Sequence, residues 1–283
     1  MKGKPIKDSP FEIEIKKRDY SQDMTPSIRF SSKHDFLNPI GTAVNSLGQI
    51  IVSVWENSIQ VFNEDGTFLF KFGSKGAGNG QFLNPNAVCV DQNDDIIVVD
   101  RGNNRLQKFN KEGVFISKFG ILGTGPGEFS SPSCVAIGKN DQLYVGDLVN
   151  NRVQVFSFKQ GFIRQFGKGK LNGPSGIAVN SIDDVIVCEW YANRIQIFDS
   201  LGNLKFKSEV LLSTPQHVTV NENDDIFVAD RGNNRISVFN PQAMPLFNFG
   251  TGQLSQPSGI SIDKRNGKII ICELLAHQIT IYE

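Results

Sequence analysis

The 283-residue chain is 39% hydrophobic and 20% charged, which excludes an intrinsically disordered protein on composition. Lysine plus arginine and aspartate plus glutamate number 29 each, which excludes a nucleic-acid binder held by net charge alone but not a local basic patch. No apolar run approaches the roughly 18 residues that a membrane span needs, and the charged N-terminus lacks the apolar core of a signal peptide. We therefore expect a cytoplasmic protein without a membrane partner.

Residues 1–26 are predicted to be a tail or linker, and residues 27–283 to be one domain. The domain opens with a short strand-forming segment, Ser27–Phe30, that stands before the first repeat. Abundant phenylalanine and glycine, 22 and 27 residues, predict many short strands joined by turns. The four cysteines stand singly inside apolar runs, without CxxC spacing, and are predicted to be buried, reduced thiols.

Six repeats organise the domain. The segment that starts at Asp100, DRGNNRLQKFNKEGVFISKFG, closely matches the segment that starts at Asp147, DLVNNRVQVFSFKQGFIRQFG. Two further copies start at Glu189 and Asp230, and degenerate copies stand at both ends of the domain. A proline opens each unit, and successive prolines are 41 to 47 residues apart: Pro39, Pro85, Pro132, Pro174, Pro215 and Pro257.

Within the second unit, strands are predicted at Ala87–Asp91, Ile96–Val99, Arg105–Phe109 and Val114–Phe119, each followed by a turn or loop. Four strands in about 40 residues are typical of a β-propeller blade, whereas a β-helix has shorter repeats and a sandwich shows no period. We predict an all-β fold, a six-bladed β-propeller of four-stranded antiparallel blades. The chain ends after the third strand of the sixth unit, so Ser27–Phe30 is predicted to complete blade six and close the ring.

Each full unit combines an acid, Asn-Arg-Ile/Val-Gln-x-Phe or a close variant, and aromatic residues near its end, a pattern that resembles the NHL repeat. Residues 72–90, FGSKGAGNGQFLNPNAVCV, resemble the NHL domains of tripartite-motif (TRIM) proteins. Residues 6–15, IKDSPFEIEI, resemble the last strand of a filamin-type domain, which commonly precedes the propeller in that family; a charged tethering arm is the alternative. The resemblance implies a longer parent, a RING ubiquitin ligase whose propeller selects targets or RNA.

An acid ends the second strand of five units, and in four of them an arginine follows five residues later. We predict a bidentate ion pair that closes the turn within each blade, rather than a metal site or a general base. In the first unit Ser53 and Ser58 replace both charges. In the sixth, Gln278 replaces the arginine, which leaves Glu273 with His277 as its candidate partner. The four predicted pairs are Asp100–Arg105, Asp147–Arg152, Glu189–Arg194 and Asp230–Arg235.

Propeller topology divides the loops between two faces. The proline face carries the prolines that open the units and the loops between second and third strands; the hairpin face carries the hairpin turns. We predict an acidic hairpin face and a mildly basic proline face. On the proline face, Arg101 and Arg231 are cations that do not belong to the predicted turn-closing ion pairs. Polar residues beside the prolines, including Ser133, Ser175 and Ser258, are predicted to reach base edges. The candidate ligand-binding residues are Trp55, Lys75, Asn86, Arg101, Lys168, Lys170, Trp190, Tyr191, Gln216, His217 and Arg231.

Cations for phosphate, rings for stacking and polar groups for base edges predict recognition of RNA, as a single strand or a stem–loop. By resemblance, RNA-binding TRIM-NHL relatives use the same face. The alternative partner is a protein, such as a ubiquitylation substrate, and a purely structural scaffold is a third reading. For the tryptophans, packing against a neighbouring loop is the alternative to an exposed platform.

Six-bladed propellers also include lactonases and lyases with a metal in the central channel. The three histidines, His34, His217 and His277, come from different structural positions and form no ligand set, and no catalytic motif is present. We therefore predict no catalytic residue, no metal and no cofactor, and we expect that this chain is not an enzyme. The coiled coil that joins TRIM relatives is absent, so we expect a monomer.

Overall fold

Successive hairpins build six four-stranded antiparallel sheets in a computed structural model that describes residues 24–31 and 36–283. The strands of blades one to three are Pro39–Val44, Ile50–Val54, Ser58–Phe62 and Phe68–Phe72; Pro85–Val90, Ile96–Asp100, Arg105–Phe109 and Phe115–Phe119; and Pro132–Ile137, Leu143–Asp147, Arg152–Ser157 and Gly161–Phe166. Those of blades four to six are Pro174–Val179, Val185–Glu189, Arg194–Phe198 and Leu204–Lys207; Val218–Val220, Ile226–Asp230, Arg235–Phe239 and Pro245–Phe249; and Pro257–Ile262, Ile269–Glu273, Gln278–Tyr282 and Pro26–Phe30.

Short elements complete the connections between these strands. Two-stranded parallel ladders join Ser74–Lys75 to Gln81–Phe82 and Ile121–Leu122 to Glu128–Phe129. In the described part of the chain, 3-10 helices occupy loops and turns at Arg101–Asn103, Lys139–Asp141 and Arg231–Asn233. Among the described residues, no helix is long and apolar enough to cross a membrane.

The ring closes through the N-terminal strand, as predicted. Pro26–Phe30 is the fourth strand of blade six and pairs antiparallel with Gln278–Tyr282. The Phe30 ring also packs at a tilt against Phe62 of blade one, with ring centroids 5.1 Å apart, so this strand joins the core between blades six and one. The fold class and its closure are thus confirmed. The segment 6–15 that resembles a filamin strand lies outside the described residues, as does His34.

Phenylalanines fill the spaces between neighbouring blades, because each sheet buries one face against the next sheet. Between blades one and two, Phe72 and Phe82 both pack on Phe109, with centroid distances of 4.9 and 5.5 Å. The same arrangement recurs one blade later around Phe156, at 4.9 and 5.4 Å. Offset and tilted ring pairs of this kind contribute about 0.5–1.5 kcal/mol each beyond the area they bury. The recurring aromatic residues of the repeat are therefore the inter-blade core.

Strand register corrects one sequence assignment in the first blade. Pro39 pairs with Val54, and Val54 pairs with Ser58, just as Pro85 pairs with Asp100 and Asp100 with Arg105. Val54, and not Ser53, therefore stands where the other blades have their acid, because the loop that follows is one residue shorter.

Candidate functional site

The predicted ion pairs are present in blades two to five. The pair in blade four is bidentate as expected, with Arg194 Nε and Nη2 at 2.5 and 3.5 Å from the two Glu189 oxygens, whereas the other three pairs use one arginine nitrogen. In blade two, Arg105 Nε donates to Asp100 Oδ2 at 2.7 Å. The remaining guanidinium groups donate to the carbonyls of Ala77, Gly78 and Gln81 at 2.7 to 2.9 Å. The other carboxylate oxygen of Asp100 accepts from the Leu83 N–H at 2.8 Å and from Asn103 Nδ2 at 3.1 Å. The pair therefore ties the turn to the glycine-rich loop that leads into its blade.

Glu273 in blade six is buried and satisfied without an arginine. Its carboxylate accepts from Gln278 Nε2 at 2.9 Å, from the Ser255 N–H at 2.7 Å and from the Thr280 hydroxyl. The prediction that His277 is the partner of Glu273 is wrong, because His277 Nδ1 accepts a hydrogen bond from the Asn38 N–H at 3.0 Å instead. Glu273 is thus a structural acid of the blade.

The proline face has an open cavity of about 310 Å³ where blades one and two meet. Trp55, Asn86 and Arg101, three of the candidate residues, line it together. The Trp55 side chain is 46% exposed, as a stacking platform requires. Within residues 24–31 and 36–283, the Arg101 side chain makes no hydrogen bond or ion pair. Burial lowers the pKa of Arg101 below its ordinary value, and the Tyr191 phenol acts in the opposite direction.

On the other side of the ring, blades four and five bring Trp190 and Arg231 together. The Arg231 guanidinium lies over the Trp190 ring, 5.3 Å from its centroid. It also donates to Gln216 Oε1 at 3.2 Å and to Gln256 Oε1 at 3.0 and 3.3 Å. Burial lowers the pKa of Arg231. Trp190 therefore packs against a neighbouring loop, the alternative to the exposed platform. Tyr191 beside it is 60% exposed.

The polar residues beside the prolines point between the blades, which corrects their prediction as groups free to read base edges. Asn86 Nδ2 donates to the Ser133 carbonyl at 2.5 Å. The Ser133, Ser175 and Ser258 hydroxyls donate to the carbonyls of Pro174, Pro215 and Pro39 at 2.5 to 2.8 Å. All four side chains are buried because the first strands crowd around the central channel. They hold neighbouring blades together.

His217 lies further inside, in the wall of a central channel of about 460 Å³. It is only 8% exposed, and burial lowers its pKa from 6.5 to about 4, so the imidazole is neutral at pH 7. Its Nε2 has no hydrogen-bond partner among the described residues. The expectation that His217 contributes to the ligand face is therefore wrong.

The candidate lysines stand apart from the two tryptophan–arginine pairs. Lys75 is exposed on the two-residue strand Ser74–Lys75 of the connection between blades one and two. Lys168 and Lys170 are exposed on the connection between blades three and four. These lysines add positive charge to the proline face without lining the Trp55 cavity.

The hairpin face is less acidic than its sequence suggested. Lys108 bridges Asp91 and Asp95 at 2.8 and 2.9 Å, and Lys205 pairs with Asp184 at 2.5 Å. These lysines belong to strands, so counting the charges of the turns missed them. Other turn acids link blades, since Asp94 accepts from the backbone and hydroxyl of Ser46, one blade earlier. Asp224 makes the same two contacts with Ser181.

The four cysteines are single thiols inside the blades. All four cysteines are free, and three of them are buried: Cys134, Cys188 and Cys272. Burial raises the pKa of Cys134 to about 12, so it stays a thiol at neutral pH. Among the described residues, no three histidine, cysteine, aspartate or glutamate side chains lie together as a metal site.

Comparison with known families supports the repeat assignment. Residues 37–110 and 92–166 match a family described as "6-bladed beta-propeller", and residues 171–198 and 212–239 match the NHL repeat. A 68-residue segment is 46% identical to the protein brain tumor of Drosophila melanogaster, and it spans 23% of this chain and 7% of that protein. This short match supports the tripartite-motif resemblance only weakly. Membership of that family, a ubiquitin ligase parent and a cytoplasmic location stay predictions.

Solved structures with the same fold include two groups of bacterial enzymes. A catalytically inactive variant of virginiamycin B lyase from Staphylococcus aureus, solved with quinupristin, superposes with a TM-score of 0.69 and 16% identity, over 90% of this chain and 84% of that one. A gluconolactonase from Xanthomonas campestris superposes with a TM-score of 0.71 and 13% identity, over 87% and 86% of the two chains.

These neighbours overturn the expectation that this chain is not an enzyme. That expectation rested on the lack of a histidine ligand set and of a catalytic motif in the sequence, whereas the virginiamycin B lyase and the gluconolactonase that share this fold over most of its length are enzymes. At such low identity the likeness shows the fold alone, so it assigns no reaction to this chain. What the blades, the repeats and the family matches establish together is that the chain is a six-bladed β-propeller that carries NHL repeats.

Proposed function

We propose that the proline face is a recognition surface for single-stranded RNA. The observation that carries the proposal is the cavity between blades one and two, where the exposed Trp55 ring and the Arg101 guanidinium line one opening. An indole accepts any base by stacking, which contributes about 1–3 kcal/mol per base, and an arginine without a carboxylate partner is available to a phosphate.

Further support comes from the surroundings of that cavity. Lys75, Lys168 and Lys170 are exposed on the same face and can track a phosphate backbone beyond the cavity. The polar residues predicted to read bases are buried, so little hydrogen-bonded readout is available near the prolines. We therefore expect weak sequence preference and affinity dominated by stacking and charge.

The test is a fluorescence-anisotropy titration with a randomised single-stranded RNA at two salt concentrations. We expect saturable binding that Trp55→Ala and Arg101→Gln each weaken at least tenfold, since each removes one of the two contacts on which the proposal rests. Loss of one phosphate contact should also make the log–log salt slope shallower by roughly 0.7 in Arg101→Gln.

Lys111→Gln is the matched control, because it removes one exposed cation from a turn on the hairpin face. The proposal fails if this control weakens RNA binding as much as Arg101→Gln does. It also fails if the wild-type protein shows no saturable binding below tens of micromolar.

A protein partner on the same face is the second candidate. Exposed apolar side chains favour it, because Val149 and Leu275 project from the loops of blades three and six and are 57% and 59% exposed. Lysine and glutamate substitutions at these two positions distinguish the candidates. Under the RNA proposal, Val149→Lys strengthens or preserves RNA binding. If the partner is a protein that docks on an apolar centre, both the lysine and the glutamate substitution weaken its binding.

A further inference from the structure

The loop residues of the proline face repeat with a period of three blades. The residue directly after the acid position is Trp55 in blade one, Arg101 in blade two and Leu148 in blade three, as the strand registers define it. The corresponding residues of blades four to six are Trp190, Arg231 and Leu274. Blades three apart in a six-bladed ring lie opposite each other, so the face has an approximate twofold axis along the channel.

The neighbouring positions follow the same pattern. The residue after the arginine is glycine in both halves, and the N–H groups of Gly102 and Gly232 donate to the carbonyls of Leu83 and Ser213 at 2.7 and 2.8 Å. A side chain at either glycine would collide with these loops, because a Cβ would lie within 2.6 Å of an atom there. Both arginines also begin a 3-10 helix of the same three residues, Arg-Gly-Asn. The shared sequence thus builds the same backbone twice.

The residue that follows the proline of blades two and five also corresponds. It carries a side-chain amide in both cases, Asn86 in blade two and Gln216 in blade five, and each lies next to the arginine of its own blade. Trp55 with Arg101 and Trp190 with Arg231 are therefore two versions of one site at opposite sides of the ring.

The two versions differ in whether the arginine is already held. In the second site Gln256 and Gln216 accept hydrogen bonds from Arg231, which covers the Trp190 ring. In the first site the position of Gln256 is taken by Ser131, whose shorter side chain lines the cavity with Arg101 and is not hydrogen-bonded to it. The first site is open as a result, with a volume of about 310 Å³.

We propose that the proline face carries two equivalent nucleotide subsites, Trp55–Arg101 and Trp190–Arg231, which take two nucleotides of one RNA strand. This inference rests on the proposed RNA function. The first subsite is open for a base on Trp55. The second opens when a base replaces the Arg231 guanidinium on Trp190 and Arg231 turns from the two glutamines to a phosphate.

The chain offers a direct readout, since Trp55 and Trp190 are its two tryptophans. Trp190→Phe leaves the first subsite as the source of tryptophan fluorescence, and Trp55→Phe leaves the second. Each variant is titrated with randomised single-stranded RNA of four and of sixteen nucleotides. We expect the four-nucleotide RNA to quench Trp55 at lower concentration than Trp190, because Arg231 must first be displaced. The sixteen-nucleotide RNA should bind one to one and quench both tryptophans over the same range of concentration.

Gln256→Ser copies the serine of the first subsite into the second. In the Trp55→Phe background it should tighten binding of the four-nucleotide RNA at Trp190 on the order of tenfold, because the bonds that hold Arg231 are removed. Ser131→Gln should do the reverse and close the first subsite. Both substitutions lie on the proline face, and circular dichroism of each variant reports whether the fold is kept.

The outcomes separate this inference from the function on which it rests. Quenching of Trp55 by RNA without any response of Trp190 overturns the second subsite and leaves RNA recognition standing. An unchanged affinity at Trp190 after Gln256→Ser overturns the closed state. If the wild-type protein binds neither RNA in the anisotropy titration, the proposed function itself fails, and the two subsites fail with it.

Discussion

The guanidinium group of Arg152 ties its turn in blade three to the connection that leads into that blade. It donates to Asp147 Oδ2 at 2.8 Å and to the carbonyls of Thr124, Gly125 and Glu128 at 2.7 to 3.0 Å, and both members of the ion pair are buried. We expect Arg152→Gln to lower the free energy of unfolding by about 3 kcal/mol, since a buried carboxylate loses its charged partner and three carbonyls lose the arginine donor. Urea denaturation followed by circular dichroism measures the change.

Arg235→Gln is the comparison for that measurement. Arg235 bonds Asp230 at 2.9 Å, but its side chain is 27% exposed, so water can replace much of what is lost. We expect a clearly smaller loss of stability than for Arg152→Gln. Equal losses would contradict the role that we give to burial and to the carbonyl contacts.

His217 makes a second residue-scale prediction, about acid. Its pKa is about 4 in the folded protein and 6.5 for a free side chain, because burial disfavours the charged imidazolium. Between these values the unfolded chain binds a proton that the folded protein does not, so stability falls as the pH falls through this window. From pH 7 to pH 5 this group alone should remove about 2 kcal/mol.

His217→Gln removes this contribution while it keeps a polar side chain in the channel wall. Urea denaturation at pH 7 and pH 5 should show a smaller loss for the variant than for the wild-type protein, by about 2 kcal/mol. The same loss in both proteins would mean that other groups, such as the turn carboxylates, dominate the acid response.

Among the elements, the strand Pro26–Phe30 matters most for the integrity of the ring. Phe30 packs on Phe62 and covers Gly66, whose backbone has φ of +86°. We expect Phe30→Ala to cost about 2 kcal/mol, somewhat below the range for a fully buried phenylalanine because the ring is half-buried. Arg29→Ala in the same strand is the control, since its side chain faces solvent. Thermal unfolding compares the two, and equal melting temperatures would contradict a closure role for Phe30.

For the molecule as a whole, the repeat in the sequence was enough to predict the propeller. The spacing between prolines and the alternation of apolar residues are local properties that can be read from the sequence alone. The blades, their strands and the closing strand were therefore predictable. The ion pairs followed from the spacing of five residues across a two-stranded turn. The assignment failed at Ser53, because a loop shorter by one residue shifts the register without leaving a mark in the composition.

The site was less predictable because it depends on how the blades face one another. Asn86 and the serines after the prolines look like free polar groups in sequence, and only the approach of the neighbouring blade buries them. Lys108 and Lys205 reach turn acids from strands, a pairing that a count of turn charges misses. Trp55 and Arg101 were found because both project from loops. Only the packing of blade one beside blade two brings them to one cavity.

Ring closure has a mechanical consequence. Because the closing strands are antiparallel, Pro26 pairs with Tyr282. The N-terminal end of the strand Pro26–Phe30 therefore lies beside the C-terminal end of the strand Gln278–Tyr282. A force that pulls these two ends apart breaks the hydrogen bonds between the strands one after another, instead of loading all of them at once in shear. A propeller stretched between its ends should therefore yield at a low force and open first at blade six, although heat must disrupt the whole ring.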